Sequence, residues 1–135
     1  MSDEAGKFYD KGYSVIGVEL FEECVKEFFD EQHLSSTKKI IGDFTLYQSE
    51  DQRIRIFVGD YYKFSSEISG VKADLFWDRG AFQACNPSDR KKYLDLFLEC
   101  IKPKAVGLLS LVEYDPSRWP GPPFNVIQDD VVEFY

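Results

Sequence analysis

The stretch "GYSVIGVELFEECVKEFFDEQ", residues 12–32, joins two patterns of different period. Residues 12–20 are β-branched and nearly continuously apolar, the composition of a strand buried on both faces. That run ends on an acid, Glu19. From Phe21 the repeat lengthens: Phe21, Cys24 or Val25, and Phe28 fall on one helical face, and acids crowd the first turn, where negative charge suits the helix dipole. A strand that passes directly into an amphipathic helix is half of the repeating unit of a parallel α/β sheet.

The chain on either side extends the pattern. A helix is expected to begin near Glu4. Residues 43–60, "DFTLYQSEDQRIRIFVGD", read as two strands joined by a polar turn at residues 49–52, with Thr45, Tyr47, Ile54 and Ile56 supplying the alternation. "YYKFSSEISGVK" reads as a loop or short helix, and "ADLFWDRG", residues 73–80, as another strand. Asn86-Pro87-Ser88 marks a helix start, with Asn86 as cap and Pro87 in the first helical position. Tyr93, Phe97 and Ile101 then recur at four-residue steps beside Leu94 and Leu98, and Pro103 is expected to stop the helix. "AVGLLSLVEY", residues 105–114, reads as a third buried strand. "DPSRWPGPPFN" is a rigid proline-rich loop, and "QDDVVEFY" begins a last helix. Strand, helix, strand, helix, strand predicts an α/β fold in one domain over residues 1–135, without repeats or an internal linker.

Composition narrows the function. With 135 residues, 44% hydrophobic and 16% aromatic, the chain can pack a core. A net charge of −8 argues against nucleic acid or an anionic membrane surface as partner. No apolar run reaches the length of a membrane span and the start has no signal-peptide pattern, so a cytoplasmic protein is expected. Cys24, Cys85 and Cys100 are odd in number and widely spaced, as expected for reduced, mostly buried thiols, and the single histidine, His33, sits in a polar segment with nothing to mark it as a base. No cluster of metal ligands is expected.

In open α/β sheets, ligands bind beyond the carboxyl ends of the strands. That rule selects Glu19, the Gly59-Asp60-Tyr61 corner, Asp78-Arg79-Gly80, and the loop after Tyr114. An acid at a strand end can accept hydrogen bonds from both hydroxyls of a ribose. A second acid followed by an aromatic, as in "GDYY", can accept from an adenine amino group while the ring covers the purine, and a glycine before it lets backbone come close. Taken singly, each also reads as an ordinary turn or strand cap.

Together these stretches resemble the thiopurine S-methyltransferase family, a branch of the S-adenosylmethionine-dependent methyltransferases. "GYSVIGVELFEECVKEFFDEQHLS", "GDYY", "FWDRGAFQACNPSDRKKY" and "YDPSRWPGPPFNV" carry the match, in the family's order, over nearly the whole chain from about Phe8. The resemblance implies a Rossmann-like class I methyltransferase sheet with flanking helices. It implies that Glu19 binds the ribose of S-adenosyl-L-methionine, that Asp60 and Tyr61 lie against its adenine, and that Arg79 lines the cleft near cofactor and acceptor. Gly121, Pro122, Pro123 and Phe124 would form one wall of the acceptor pocket. The implied reaction is methyl transfer to the sulfur of an aromatic or heterocyclic thiol, a small-molecule acceptor that ionises easily, so neither a catalytic base nor a metal is required. A monomer is expected. On this view the strand at residues 73–80 stops at the cleft floor, Arg79 points its guanidinium into the site, and Gly80 permits the turn away.

The chain also departs from that family's pattern. The glycine-rich turn and first strand that the family places upstream of the helix near Glu4 have no counterpart, nor do its final strands and a late arginine. The resemblance therefore implies a partial methyltransferase domain, truncated at both ends. The alternative is a non-catalytic remnant or isoform that no longer binds cofactor. A dinucleotide-dependent oxidoreductase would share the acid after a strand but needs a G-x-G-x-x-G that is absent.

Overall fold

In the computed structural model, which describes residues 4–134, the change of period after Glu19 becomes a change of element. Helix α1 (Glu4–Asp10) precedes strand β1 (Val15–Glu19), and helix α2 (Glu22–Glu31) follows it. Three strands come next: β2 (Ser36–Ile41), β3 (Phe44–Ser49) and β4 (Ile54–Val58). They form one sheet in the order β1-β4-β3-β2, with β1 parallel to β4 and β3 antiparallel to both its neighbours. This is the first of two units; it ends at Phe64, and the second begins at Ser65.

The first unit is built on both faces of β3 and β4. Val25, Phe28 and Phe29 of α2 pack with Tyr47, Ile54 and Ile56, and Ala5 of α1 joins them. Each large side chain buried there contributes about 2 kcal/mol relative to exposure. On the other face, Phe44, Phe57 and Phe64 form an aromatic cluster with ring centroids 5.2 to 6.4 Å apart. The expected turn between β3 and β4 is present. Ser49 donates its hydroxyl to Asp51 and accepts from the amide of Ile54, while Asp51 accepts from the amide of Arg53.

Three expectations change here. β2 is a strand where the polar "STKKII" offered no strand signal; it is a sheet edge, and Lys38 and Lys39 are the charges that discourage further pairing on such an edge. β1 is half-buried along its whole length rather than enclosed, because it is the opposite edge of the sheet. Phe21 is 61% exposed, and Phe29 takes the buried place expected for it.

The second unit contains α3 (Ser66–Ser69), β5 (Ala73–Arg79), α4 (Ala81–Ala84), α5 (Arg90–Cys100), β6 (Ile101–Ser110) and α6 (Gln128–Phe134). β5 and β6 are parallel, with Arg79 opposite Ser110. Phe76 of β5 covers Gly107 of β6 so closely that a Cβ there would lie 2.3 Å from the ring. Phe97 of α5 meets Phe76 edge-on at 5.0 Å and stacks on Tyr93 at 6.3 Å. Pro87 opens a short 3-10 turn as expected, but Asn86 makes no side-chain cap, and the α-helix proper starts at Arg90. That helix ends at Cys100 rather than at Pro103: Ile101 instead pairs with Ala73, so Pro103 lies inside β6. β6 is not fully buried, since Val106 and Leu108 are exposed. The three cysteines are free but half-buried, and burial pushes the Cys100 thiol up to about 12.

Candidate functional site

Parallel pairing of β1 with β4 places two carboxylates at neighbouring strand tips. Glu19 stands opposite Val58, and the amide of Gly59 donates to the carbonyl of Glu19 at 2.9 Å. The Glu19 side chain is held by the two residues that link β1 to α2, Oε1 accepting from the amides of Leu20 (2.8 Å) and Phe21 (3.1 Å). Asp60 caps the 3-10 turn Tyr61–Lys63 by accepting from the amide of Tyr62 at 2.9 Å, and the rings of Tyr61 and Tyr62 meet edge to face at 5.7 Å. The structure thus brings together the three residues expected around ribose and adenine. Gly59 also has a reason within the chain's own core: a Cβ there would lie 2.6 Å from the Phe44 ring.

In the second unit the Asp78-Arg79-Gly80 turn resolves into three separate roles. Asp78 is buried; its carboxylate accepts from the amides of Ala81 (2.9 Å) and Phe82 (3.2 Å) and from the Tyr93 hydroxyl (2.9 Å). Burial, the largest influence, holds its pKa above the usual carboxylate range although those bonds pull the other way. Arg79 is the exposed last residue of β5. Gly80 adopts φ 91, a left-handed conformation that starts α4 and that a side chain would strain.

The same turn is tied to the proline-rich loop. The amide of Phe124 donates to the carbonyl of Gln83 at 2.7 Å, and the Gln83 side chain accepts from the amide of Val112 at 2.8 Å. Arg90, 5% exposed, donates to the carbonyl of Asn125 at 3.0 Å, and Asn125 in turn accepts from the amide of Tyr114 at 2.7 Å. Tyr114 Oη donates to the carbonyl of Pro123 (2.5 Å) and Trp119 Nε1 to that of Pro122 (3.2 Å). Within the loop, Gly121 has φ 95 and the bonds preceding Pro122 and Pro123 are cis. Gln83, three residues after Gly80, is thus bonded to the loop at Phe124, and Pro122 and Pro123 are held within the loop by Trp119 and Tyr114, whereas Glu19, Asp60 and Tyr61 form their own group in the first unit.

Sequence reasoning missed Asp78 as a cap, and Gln83, Arg90 and Asn125 as the loop's supports. Asp78 had a local signal, an acid three residues before the amide it accepts from; the others bond to partners far along the chain. His33, left aside as a base, is exposed at the carboxyl end of α2. Among the described residues no helix is long and apolar enough to cross a membrane.

The profile of the family described as Thiopurine S-methyltransferase (TPMT) matches residues 1–135. A "Probable thiopurine S-methyltransferase" of Danio rerio is 41% identical over 125 residues, covering 90% of this chain and 53% of that protein. "Thiopurine S-methyltransferase" of Bos taurus is 37% identical and that of Equus caballus 36%, each over 131 residues covering 95% of this chain and 53% of the relative. The chain thus spans about half the length of these curated relatives. Strand tips, turn and loop all fall within a single profile that runs the length of the sequence, and the chain belongs to the thiopurine S-methyltransferase family.

Proposed function

We propose that the chain is part of an S-adenosyl-L-methionine-dependent methyltransferase, cytoplasmic and monomeric, acting on the sulfur of an aromatic or heterocyclic thiol, and that its two units belong to one such domain. The observation that carries this reading is the pairing at the tips of β1 and β4, where Glu19 and the Asp60-Tyr61 corner sit side by side. A carboxylate fixed by two amides is oriented in advance for ribose hydroxyls, and Asp60 beside the Tyr61 ring suits an adenine. When bound, the cofactor would supply a sulfonium-activated methyl group that passes in line to the acceptor sulfur, with S-adenosylhomocysteine as the leaving group and the thiol proton going to water. Arg79 offers a positive charge to an acceptor ionised to its thiolate, and Gly121, Pro122, Pro123 and Phe124 wall the acceptor side on a loop whose Phe124 amide is held by the Gln83 carbonyl.

Calorimetric titration of this chain with S-adenosylhomocysteine tests the reading. Saturable heat is expected, with Glu19→Gln weakening affinity about tenfold or more, as for loss of hydrogen bonds to a charged group. His33→Asn, which tolerates the left-handed φ of 53 at that position, leaves affinity unchanged. Absence of heat at millimolar ligand would favour a chain that does not bind cofactor, and intact affinity in Glu19→Gln refutes the ribose role.

A further inference from the structure

Beside the proline-rich loop lies an open hollow of about 600 Å³ lined by Val112, Tyr114, Asp115, Arg118, Trp119 and Pro123. Its volume falls within the range of small-molecule sites, roughly 300 to 1,000 Å³. Four of those residues carry polar groups, yet the surface they present is almost wholly apolar. The reason is in the hydrogen bonds. Tyr114 Oη and Trp119 Nε1 are committed to the carbonyls of Pro123 and Pro122, and Asp115 is committed to the amide and hydroxyl of Ser117, which also hold its carboxyl below the usual range. What remains for the hollow is ring carbon. Trp119 and Val112 are both 54% exposed although the first is held by its ring nitrogen and the second by its amide.

We propose that this hollow receives the flat ring of the acceptor, with Trp119, Tyr114 and Val112 as the residues that select aromatic over aliphatic thiols. The inference rests on the methyltransferase reading above and adds residues to it. Three observations favour this occupant. The two aromatic walls are anchored by their own polar ends on a proline-rich backbone, so little side-chain freedom is lost when a ligand arrives. Ring-to-ring packing favours an aromatic ligand beyond what burial alone gives a saturated ring of the same size. Pro123 is shared between the hollow and the proposed acceptor wall.

The test compares benzenethiol with cyclohexanethiol by calorimetric titration, in reducing buffer, with and without saturating S-adenosylhomocysteine. Wild type is expected to bind benzenethiol about fivefold more tightly, Trp119→Phe to keep that preference, and Trp119→Ala to erase it, as for loss of one aromatic pair. Equal affinity of wild type for the two thiols, a preference that survives Trp119→Ala, or no heat from either thiol under both conditions overturns the proposal. The two readings fail separately. Binding of S-adenosylhomocysteine with a preference indifferent to Trp119 leaves the methyltransferase reading standing and removes the ring site. A Trp119-dependent preference without any binding of S-adenosylhomocysteine keeps the ring site and removes the cofactor role.

Discussion

Replacing Asp78 by alanine would leave the amides of Ala81 and Phe82 and the hydroxyl of Tyr93 without the acceptor that now serves all three. The loss combines a helix cap with buried unsatisfied donors, and a destabilisation of about 2–4 kcal/mol is expected from those two effects. Chemical denaturation measures it; a change below about 1 kcal/mol would show that water replaces the carboxylate without cost. This residue also shows how far sequence reading reaches. The oddity of an acid, a base and a glycine at the end of an apolar strand was visible, and so was the turn at Gly80. The division of labour was not. Asp78 works inward on the protein's own amides while Arg79 is the exposed member, and only the burial of Asp78 separates the two.

The helices and strands were legible in proportion to how much of their environment lay nearby in the chain. α2 and the β3–β4 hairpin follow from periodicity and turn chemistry within about twenty residues, a distance over which such patterns are read directly. β2 was not legible because an edge strand facing solvent has no reason to be apolar, and its sequence looks like a loop. Ile101 fitted the helical repeat of α5 but pairs with Ala73, a contact that overrides local preference. The positions of Glu19 and Asp60 at the ends of strands were legible because strand ends can be predicted; the bonds of Gln83 and Arg90 were not, because what they hold lies far along the chain. The packing of β3 beneath the end of β4 gives a sharp test. In Gly59→Ala the added carbon meets the Phe44 ring at 2.6 Å, and an overpacking cost of about 1–3 kcal/mol is expected. Retained stability in thermal melts would mean that Phe44 moves aside freely, and the aromatic cluster with Phe57 and Phe64 would then be looser than its geometry indicates.

Taken together, the carboxylates make the protein sensitive to acid. The Lys38 ammonium, followed by the Tyr47 hydroxyl, holds Glu22 down to about 2. The Ser49 hydroxyl and the Arg53 amide hold Asp51 well below its usual range, and Ser66 lowers Glu99. A depressed carboxylate binds fewer protons folded than unfolded, so its contribution is complete above its ordinary pKa of 4.5 for Glu22 and is lost as pH falls toward about 2. Asp78, raised by burial, acts with the opposite sign: folding favours its protonated form, and stability declines as pH rises through its titration. The lowered groups outnumber the raised one, so melting temperature is expected to fall steadily between about pH 5 and pH 2, and Glu22→Gln to flatten that slope. Identical slopes for wild type and variant would show that the Glu22–Lys38–Tyr47 cluster does not persist in solution.

The bond from the Gln83 side chain to the amide of Val112 also bears on how the hollow could be altered by mutation. The framework uses Val112 only through its backbone, a group that every residue except proline supplies. Its side chain can therefore be enlarged, shortened or charged without unfastening the segment, whereas changes at Gln83, Arg90 or Asn125 would loosen the loop as a whole. A laboratory library meant to reshape the proposed ring site has its least disruptive starting point at Val112.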